Sequence, residues 1–287
     1  MELVFKQALK IDEDVIKIKV KQYQIRNSDV FLLGYPKSGT TWAQEMIWLI
    51  LNDLNYDGAK AFVDERVPVL EMCAYWKGDA QSNTIPECHK NSMEFAYKLK
   101  DPRCIKTHLR WEYLPDELLN DTKNSKIIYI ARNPKDVCLS SYHYFKNLLN
   151  LTDCSLEDFG DFFLNVMYDG IGDYWNHVLY FWNRRDQPNI LFIKYEDMKC
   201  NLLDVIRKVA TFLKKKLTEE EETRLLKWLN FETMKNNSAV NHNALYQKPG
   251  FIRIGKIGEH KKEMSIELIE KFDSWIENNL KNSDYEI

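Results

Sequence analysis

The chain has 287 residues, with 40 lysines and arginines against 43 aspartates and glutamates, a formal charge of −3 at pH 7. That balance argues against a general nucleic-acid binder, which presents a net basic face, but it leaves room for a local basic pocket. Hydrophobic residues at 45% and charged residues at 29% exclude a disordered chain, and the length fits one or two domains.

The first fifteen residues carry acids where a secretory signal needs an apolar core. The longest apolar run, Met46 to Leu51, is far short of the roughly 20 residues of a membrane span. A soluble, cytoplasmic protein is therefore expected, and the glycosylation-type triplets at Asn120, Asn150 and Asn236 read as chance. None of the six cysteines stands in a CxxC pair, so they read as buried, reduced thiols. Four short apolar runs, at 30–33, 104–106, 127–130 and 190–193, read as buried strands. Helical patterns separate them. The α/β alternation predicts a central parallel sheet covered by helices on both faces. In such sheets ligands sit at the carboxyl ends of the strands.

The first strand runs into Gly34-Tyr35-Pro36-Lys37-Ser38-Gly39-Thr40-Thr41-Trp42, and a helix is predicted over 41–54, with Met46, Ile47, Ile50, Leu51 and Leu54 on one face. A glycine-rich turn between strand and helix offers backbone N–H groups and the positive end of a helix dipole, about half a charge, to an anion. The two glycines have the spacing of a nucleotide-kinase P-loop, whose next residues are Lys and Ser or Thr. Here the next residue is Thr40, and the lysine stands earlier, at Lys37. A kinase lysine bridges the outer phosphates while the neighbouring hydroxyl holds Mg²⁺. Lys37 comes instead from the near side of the loop, towards a leaving-group oxygen, and no acid is placed as a second magnesium ligand. The loop suits a nucleotide whose transferred group needs no metal.

The weakly patterned stretch 66–101, with Met72, Tyr75, Trp76, Met93, Phe95 and Tyr97, reads as a surface excursion or as the lid or wall of an apolar pocket. Lys106-Thr107-His108-Leu109 closes the second strand, where a histidine can act as a general base. Arg132 ends the third strand and can fork onto a phosphate. Pro134 then opens a helix in which Val137, Ser141, Tyr144 and Leu148 form a stripe and Ser140 adds a hydroxyl in the first turns. Tyr195 follows the fourth strand, and Trp42 and Phe231 are further aromatics that offer flat apolar surface. Thr218 followed by four glutamates marks a helix start without assigned function.

Tyr-Pro-Lys-Ser-Gly-Thr-Thr-Trp at 35–42 resembles the loop with which cytosolic sulfotransferases hold the 5′-phosphosulfate of PAPS (3′-phosphoadenosine 5′-phosphosulfate), and the resemblance extends from Arg26 to about Asp273. Lys106-Thr107-His108-Leu109 is similar to the family's Lys-x-His-Leu motif. The resemblance implies that His108 deprotonates the acceptor, that Lys106 stabilises the sulfuryl oxygens and that Lys37 stabilises the bridging oxygen. It places Ser38, Gly39, Thr40 and Thr41 on the 5′ end of the donor, Arg132 and Ser140 on the 3′-phosphate, and Trp42, Tyr195 and Phe231 around the adenosine. The stretch 251–260 resembles the family's Arg-Lys-Gly-x-x-Gly-Asp-Trp element. It keeps Arg253, Gly255 and Gly258 but has Ile254, Glu259 and His260 in the remaining places. Arg253 with the backbone of Ile254 and Gly255 is left to hold the 3′-phosphate, with one cation fewer unless Lys256 compensates. Leu229 stands where an adenine-contacting Thr is expected. The donor-site matches run from Lys37 to Gly255, so the chain reads as a single domain over 1–287. Lys261 to Glu270 resembles the family's short dimerisation motif, with Ser265 and Ile266 for Thr and Val.

The expected activity is metal-free, in-line sulfuryl transfer from PAPS, leaving PAP (the 3′,5′-bisphosphate), to a hydroxyl or amine of a small hydrophobic acceptor lined in part by Met72, Tyr75, Trp76 and Tyr144. No nucleic acid or membrane is an expected partner, and a homodimer is. The alternatives are PAPS-dependent dehydration of an allylic alcohol, a P-loop kinase, and a non-catalytic binder of PAP. Which acceptor is used, whether phenol, steroid, retinoid or amine, is not written in these motifs.

Overall fold

The computed structural model describes residues 11–75, 85–120, 123–148, 154–165, 171–242 and 252–287. Trp76, Asn150 and Phe251, and with them 76–84 of the 66–101 stretch, lie outside the described residues, as does the side chain of Leu148.

Four strands, β1 (Val30–Gly34), β2 (Cys104–Thr107), β3 (Lys126–Ala131) and β4 (Ile190–Lys194), form one sheet in the order β2-β1-β3-β4, all parallel. From β1 the chain goes outward to β2, then returns past β1 to β3 and β4. The crevice at this reversal opens at the carboxyl ends of the strands, where open α/β sheets bind ligands.

Alternation along each strand divides the core. Phe31, Leu33, Ile105, Ile127 and Tyr129 face one cluster, while Val30, Leu32, Cys104, Ile128 and Ile130 face the other. Both faces are apolar, so both need a covering layer. Helix α1 (Thr40–Leu51) covers the second face, and α2 (Pro134–Leu148), α3 (Leu156–Asn165) and α4 (Tyr174–Trp182) cover the first. Helices α5 (Tyr195–Cys200), α6 (Leu202–Phe212), α7 (Glu219–Trp228) and α8 (Phe231–Asn236) follow β4, and α9 (Ile266–Leu280) returns to the first face through Leu268 and Phe272. Thr218 caps α7 in a reciprocal capping box with Glu221.

Helix α1 stops three residues short of the predicted end. Asp53 and Leu54 adopt φ of 51° and 57°, outside the helical region, yet Leu54 remains buried. Its burial is what made it read as one more helical position. The 66–101 stretch is not a featureless loop where it is described. Short helical turns at Met72–Tyr75, Glu87–Lys90 and Ser92–Lys98 pack beside β2, and an isolated parallel bridge joins Val69 to Lys106. Arg103 and Asp29, both fully buried, form a two-bonded ion pair (Nε–Oδ1 2.8 Å, Nη2–Oδ2 2.6 Å) below the sheet. Among the described residues no helix is long and apolar enough to cross a membrane.

Candidate active site

The loop after β1 owes its shape to two positive-φ residues, Lys37 at 68° and Gly39 at 96°. At Gly39 a side chain would be strained, and a Cβ there would lie 2.5 Å from the Tyr195 ring, so only glycine lets the aromatic wall close against the loop. The Ser38 hydroxyl is fully buried and meets no hydrogen-bond partner among the described residues. A buried hydroxyl without a partner costs free energy; an anion in the loop would supply the missing acceptor.

Lys37, Lys106, Arg132 and Arg253 converge on one cavity of about 450 Å³, which His108, Trp42, Ser140, Tyr144, Tyr195, Phe231, Ile254 and Gly255 also line. Lys37 Nζ lies 4.3 Å from the Tyr144 ring centroid. Burial first, and then the charges of Lys106, Arg132 and Arg253, lower its pKa to about 7. The cavity thus gathers cations around Lys37, a setting that favours an anion, although Asp64, Glu71, Asp136 and Glu259 also line it. Arg132 donates to the backbone oxygens of Lys37 (3.3 Å) and Lys256 (3.2 Å) and lies over the Tyr195 ring at 4.4 Å. Trp42 is held edge-on to Tyr195 by a hydrogen bond from its indole N–H to the Leu229 carbonyl (2.9 Å). At Leu229 it is therefore the backbone that serves the aromatic wall. Lys199, not singled out in the sequence, sits 5.5 Å from Trp42 and 5.7 Å from Phe231.

The departures at 259 and 260 have a local explanation. Asp136, in the first turn of α2, accepts from Gly258 N (2.7 Å), His260 N (3.2 Å) and His260 Nδ1 (2.7 Å). His260 thereby ties the 252–260 segment to α2 by hydrogen bonds. Glu259 bonds Lys262 (2.9 Å) and also lines the cavity, where Lys256 and Arg253 act on it. Arg253 is paired through Nη1 with Glu263 at 3.1 Å, which leaves its other N–H groups for a phosphate.

His108 has one defined tautomer. Its Nδ1 lies 2.6 Å from the Gly34 carbonyl, which only accepts, so Nδ1 carries the proton and Nε2 is left as a base. Burial first, then Lys106, lower its pKa to about 3, so the ring is neutral at working pH. His177 supports the same turn: Nε2–H donates to the His108 carbonyl (3.1 Å) while Nδ1 accepts from Tyr129 Oη (2.6 Å). Glu71 accepts from the His108 amide N–H at 2.7 Å. It had no motif to announce it in the sequence. Met72, Tyr75 and Tyr144, with Val69, Phe145 and Ile171, make the apolar wall. Of the expected site residues, Ser38 is fully buried within the loop and is not among the residues lining the cavity, and Trp76 is outside the described residues. Among the described residues no group of three or more His, Cys, Asp or Glu is placed to hold a metal ion.

The low pKa of Lys37 makes anion binding pH-dependent. Below pH 7 the lysine is charged with or without ligand. Above it, the free form loses the proton that a bound bisphosphate would retain, so binding takes up a proton. Affinity for PAP is expected to fall as pH rises above about 7. Calorimetry at alkaline pH in two buffers of different ionisation enthalpy measures this uptake; its absence would mean that Lys37 does not meet the anion.

The profile of the sulfotransferase domain matches residues 27–284. Luciferin sulfotransferase of Photinus pyralis is 41% identical over 283 residues, spanning 93% of this chain and 75% of that protein. Sulfotransferase 1B1 of Canis lupus familiaris is 34% identical over 264 residues, 88% of this chain and 84% of its own. A solved structure of retinol dehydratase in complex with retinol and PAP superposes with a TM-score of 0.80 at 32% identity, covering 96% of this chain and 87% of that one.

Proposed function

We infer the reaction from one premise: this chain belongs to the sulfotransferase family. It is an enzyme that moves a sulfuryl group from PAPS to a hydroxyl or amine of a small hydrophobic acceptor. The observation that carries the reading is the pairing, in one cavity, of a four-cation nucleotide site with a histidine whose Nε2 is bare.

His108 Nε2 takes the acceptor's proton as the acceptor oxygen forms its bond to sulfur. The bond from sulfur to the bridging oxygen breaks, and its electron pair leaves on the PAP phosphate. Lys37 stabilises that leaving oxygen, and Lys106 the sulfuryl oxygens in flight. Ser38 and the N–H groups at the start of α1 hold the 5′-phosphate. Arg132, Ser140 and Arg253, with the backbone of Ile254 and Gly255, hold the 3′-phosphate, and Trp42, Tyr195 and Phe231 enclose the adenine. The 3′-phosphate site makes a direct test: PAP should raise the melting temperature far more than adenosine 5′-phosphate at equal concentration. Equal shifts would remove Arg132 and Arg253 from their assigned role.

Met72, Tyr75 and Tyr144 support an apolar acceptor, with Val69, Met72 and Tyr75 of the 66–101 stretch forming part of its wall within one domain. The likeness to retinol dehydratase supports a second reading, sulfation of an allylic alcohol followed by loss of sulfate. A product lacking both oxygen and sulfate would establish it. Unpaired cysteines, all six of them, support a reducing, cytoplasmic setting. Exposed Lys261, Ile266 (72% exposed) and Glu270 at the start of α9 support a small dimer contact. Ile266→Asp should convert a dimer to monomer in sedimentation; a wild-type monomer at micromolar concentration would reject the contact.

A further inference from the structure

Lys106 is buried, and the hydrogen bond resolved for its Nζ runs to Gln44 Oε1 at 3.2 Å. Gln44 is itself fully buried in α1. Its amide can face only one way. Nε2 lies 2.8 Å from the Val67 carbonyl, 3.1 Å from Asp64 Oδ1 and 3.4 Å from the Val63 carbonyl, and all three can only accept. The nitrogen must point there, which forces the oxygen towards Lys106.

Asp64 is fixed in turn. Its Oδ2 lies 2.8 Å from His89 Nε2 and 3.1 Å from His242 Nε2, and His242 Nδ1 lies 2.8 Å from the Val240 carbonyl oxygen. Burial would raise the Asp64 pKa. The charge and hydrogen bond of His242, the bond from His89 and the charge of Lys106 outweigh it and hold the carboxylate ionised. Segments remote in sequence thus converge on the Asp64 carboxylate, which in turn holds the Gln44 amide.

We propose that Gln44 is a positioning residue for Lys106, and that Asp64, clamped by His89 and His242, is the anchor that orients it. This rests on the role given above to Lys106. A neutral amide oxygen suits that role. It holds an ammonium in place without neutralising it, so the charge stays available to the sulfuryl oxygens; a carboxylate at the same point would compete with them. Asp64, one residue further out, is a charge at a distance. Lys106 is also faced by Glu71 and Cys104, while Lys37 and His108 share its cavity. Burial lowers its pKa, and Asp64 and Glu71 oppose that shift.

The test is a lysine ¹³Cε NMR titration of the full chain, with the Lys106 signal assigned by its loss in Lys106→Met, run beside steady-state kinetics. Gln44→Met removes the acceptor and should lower the Lys106 midpoint by about one pH unit. The near-isosteric Gln44→Glu should raise it by a similar amount. Both should lower kcat by about tenfold, while Kd for PAP changes less than about threefold. Opposite shifts with a shared loss of kcat are not what a packing defect produces. Midpoints unmoved, or moved the same way in both variants, would overturn the proposal. Should wild type transfer no sulfuryl group at all, the functional reading falls, and the titration still decides whether Gln44 governs Lys106.

Discussion

Replacing His108 with alanine is expected to lower kcat by about 10²–10⁴-fold, the range for loss of a positioned general base, or roughly 3–5 kcal/mol of barrier. The expectation comes from the lone pair rather than from the histidine's mere presence. Gly34 occupies Nδ1, and burial first, then the neighbouring Lys106 and Lys37, disfavour protonation, so Nε2 stays unprotonated, though weakly basic, in the resting enzyme. As the donor's negative charge offsets those lysines, the ring becomes a better proton acceptor at the moment it is needed. PAP affinity should change little, because the ring meets the acceptor and not the nucleotide. Single-turnover kinetics with PAPS, together with PAP titration, separate the two quantities. Equal losses in both would mean that the alanine has disturbed the cavity rather than removed a base.

The second large effect is expected at Lys106. Lys106→Met should cost about 10²–10³-fold in kcat, comparable to loss of one oxyanion-hole donor, or about 3–4 kcal/mol. A methionine fills similar volume, so the loss is mostly one of charge. It leaves the Gln44 carbonyl without its donor and removes a cation that faces Asp64 and Glu71, so some fall in stability should accompany it. Circular dichroism and thermal melting of the variant establish that it is folded. A KM for PAPS within a few-fold of wild type would place the lysine's effect in the transition state rather than in donor binding. A kcat close to wild type would remove Lys106 from the chemistry.

What could be read in the sequence was local. The string 34–42 fixes its own geometry, because a strand, a glycine with positive φ and a helix start lie within nine residues. The pair Lys106 and His108 needs only the end of β2 to aim it. The same holds for Arg132 after β3 and Tyr195 after β4. The apolar runs located all four strands, although each extends a residue or more past its run, to Gly34, Thr107, Ala131 and Lys194, since strand pairing does not stop where hydrophobicity does. The end of α1 was misread because Leu54 stays buried after the helix has ended. Gln44, Asp64, His89 and His242 were invisible as a group. They come from α1, the 63–66 turn, the 87–90 turn and the 237–242 loop, and nothing in their spacing announces that they meet. Glu71 reads as one more acid until the fold sets it against the His108 amide.

This cavity is expected to transfer a sulfuryl group without a metal. The most direct test is mass spectrometry of a mixed panel of phenols, steroids, allylic alcohols and amines incubated with the full chain, PAPS and excess EDTA. At least one acceptor is expected to carry an added sulfuryl group, with PAP released in equal amount and a rate unchanged by the chelator. Transfer that depends on Mg²⁺ and ATP, or PAP binding with no product from any acceptor, would contradict this expectation.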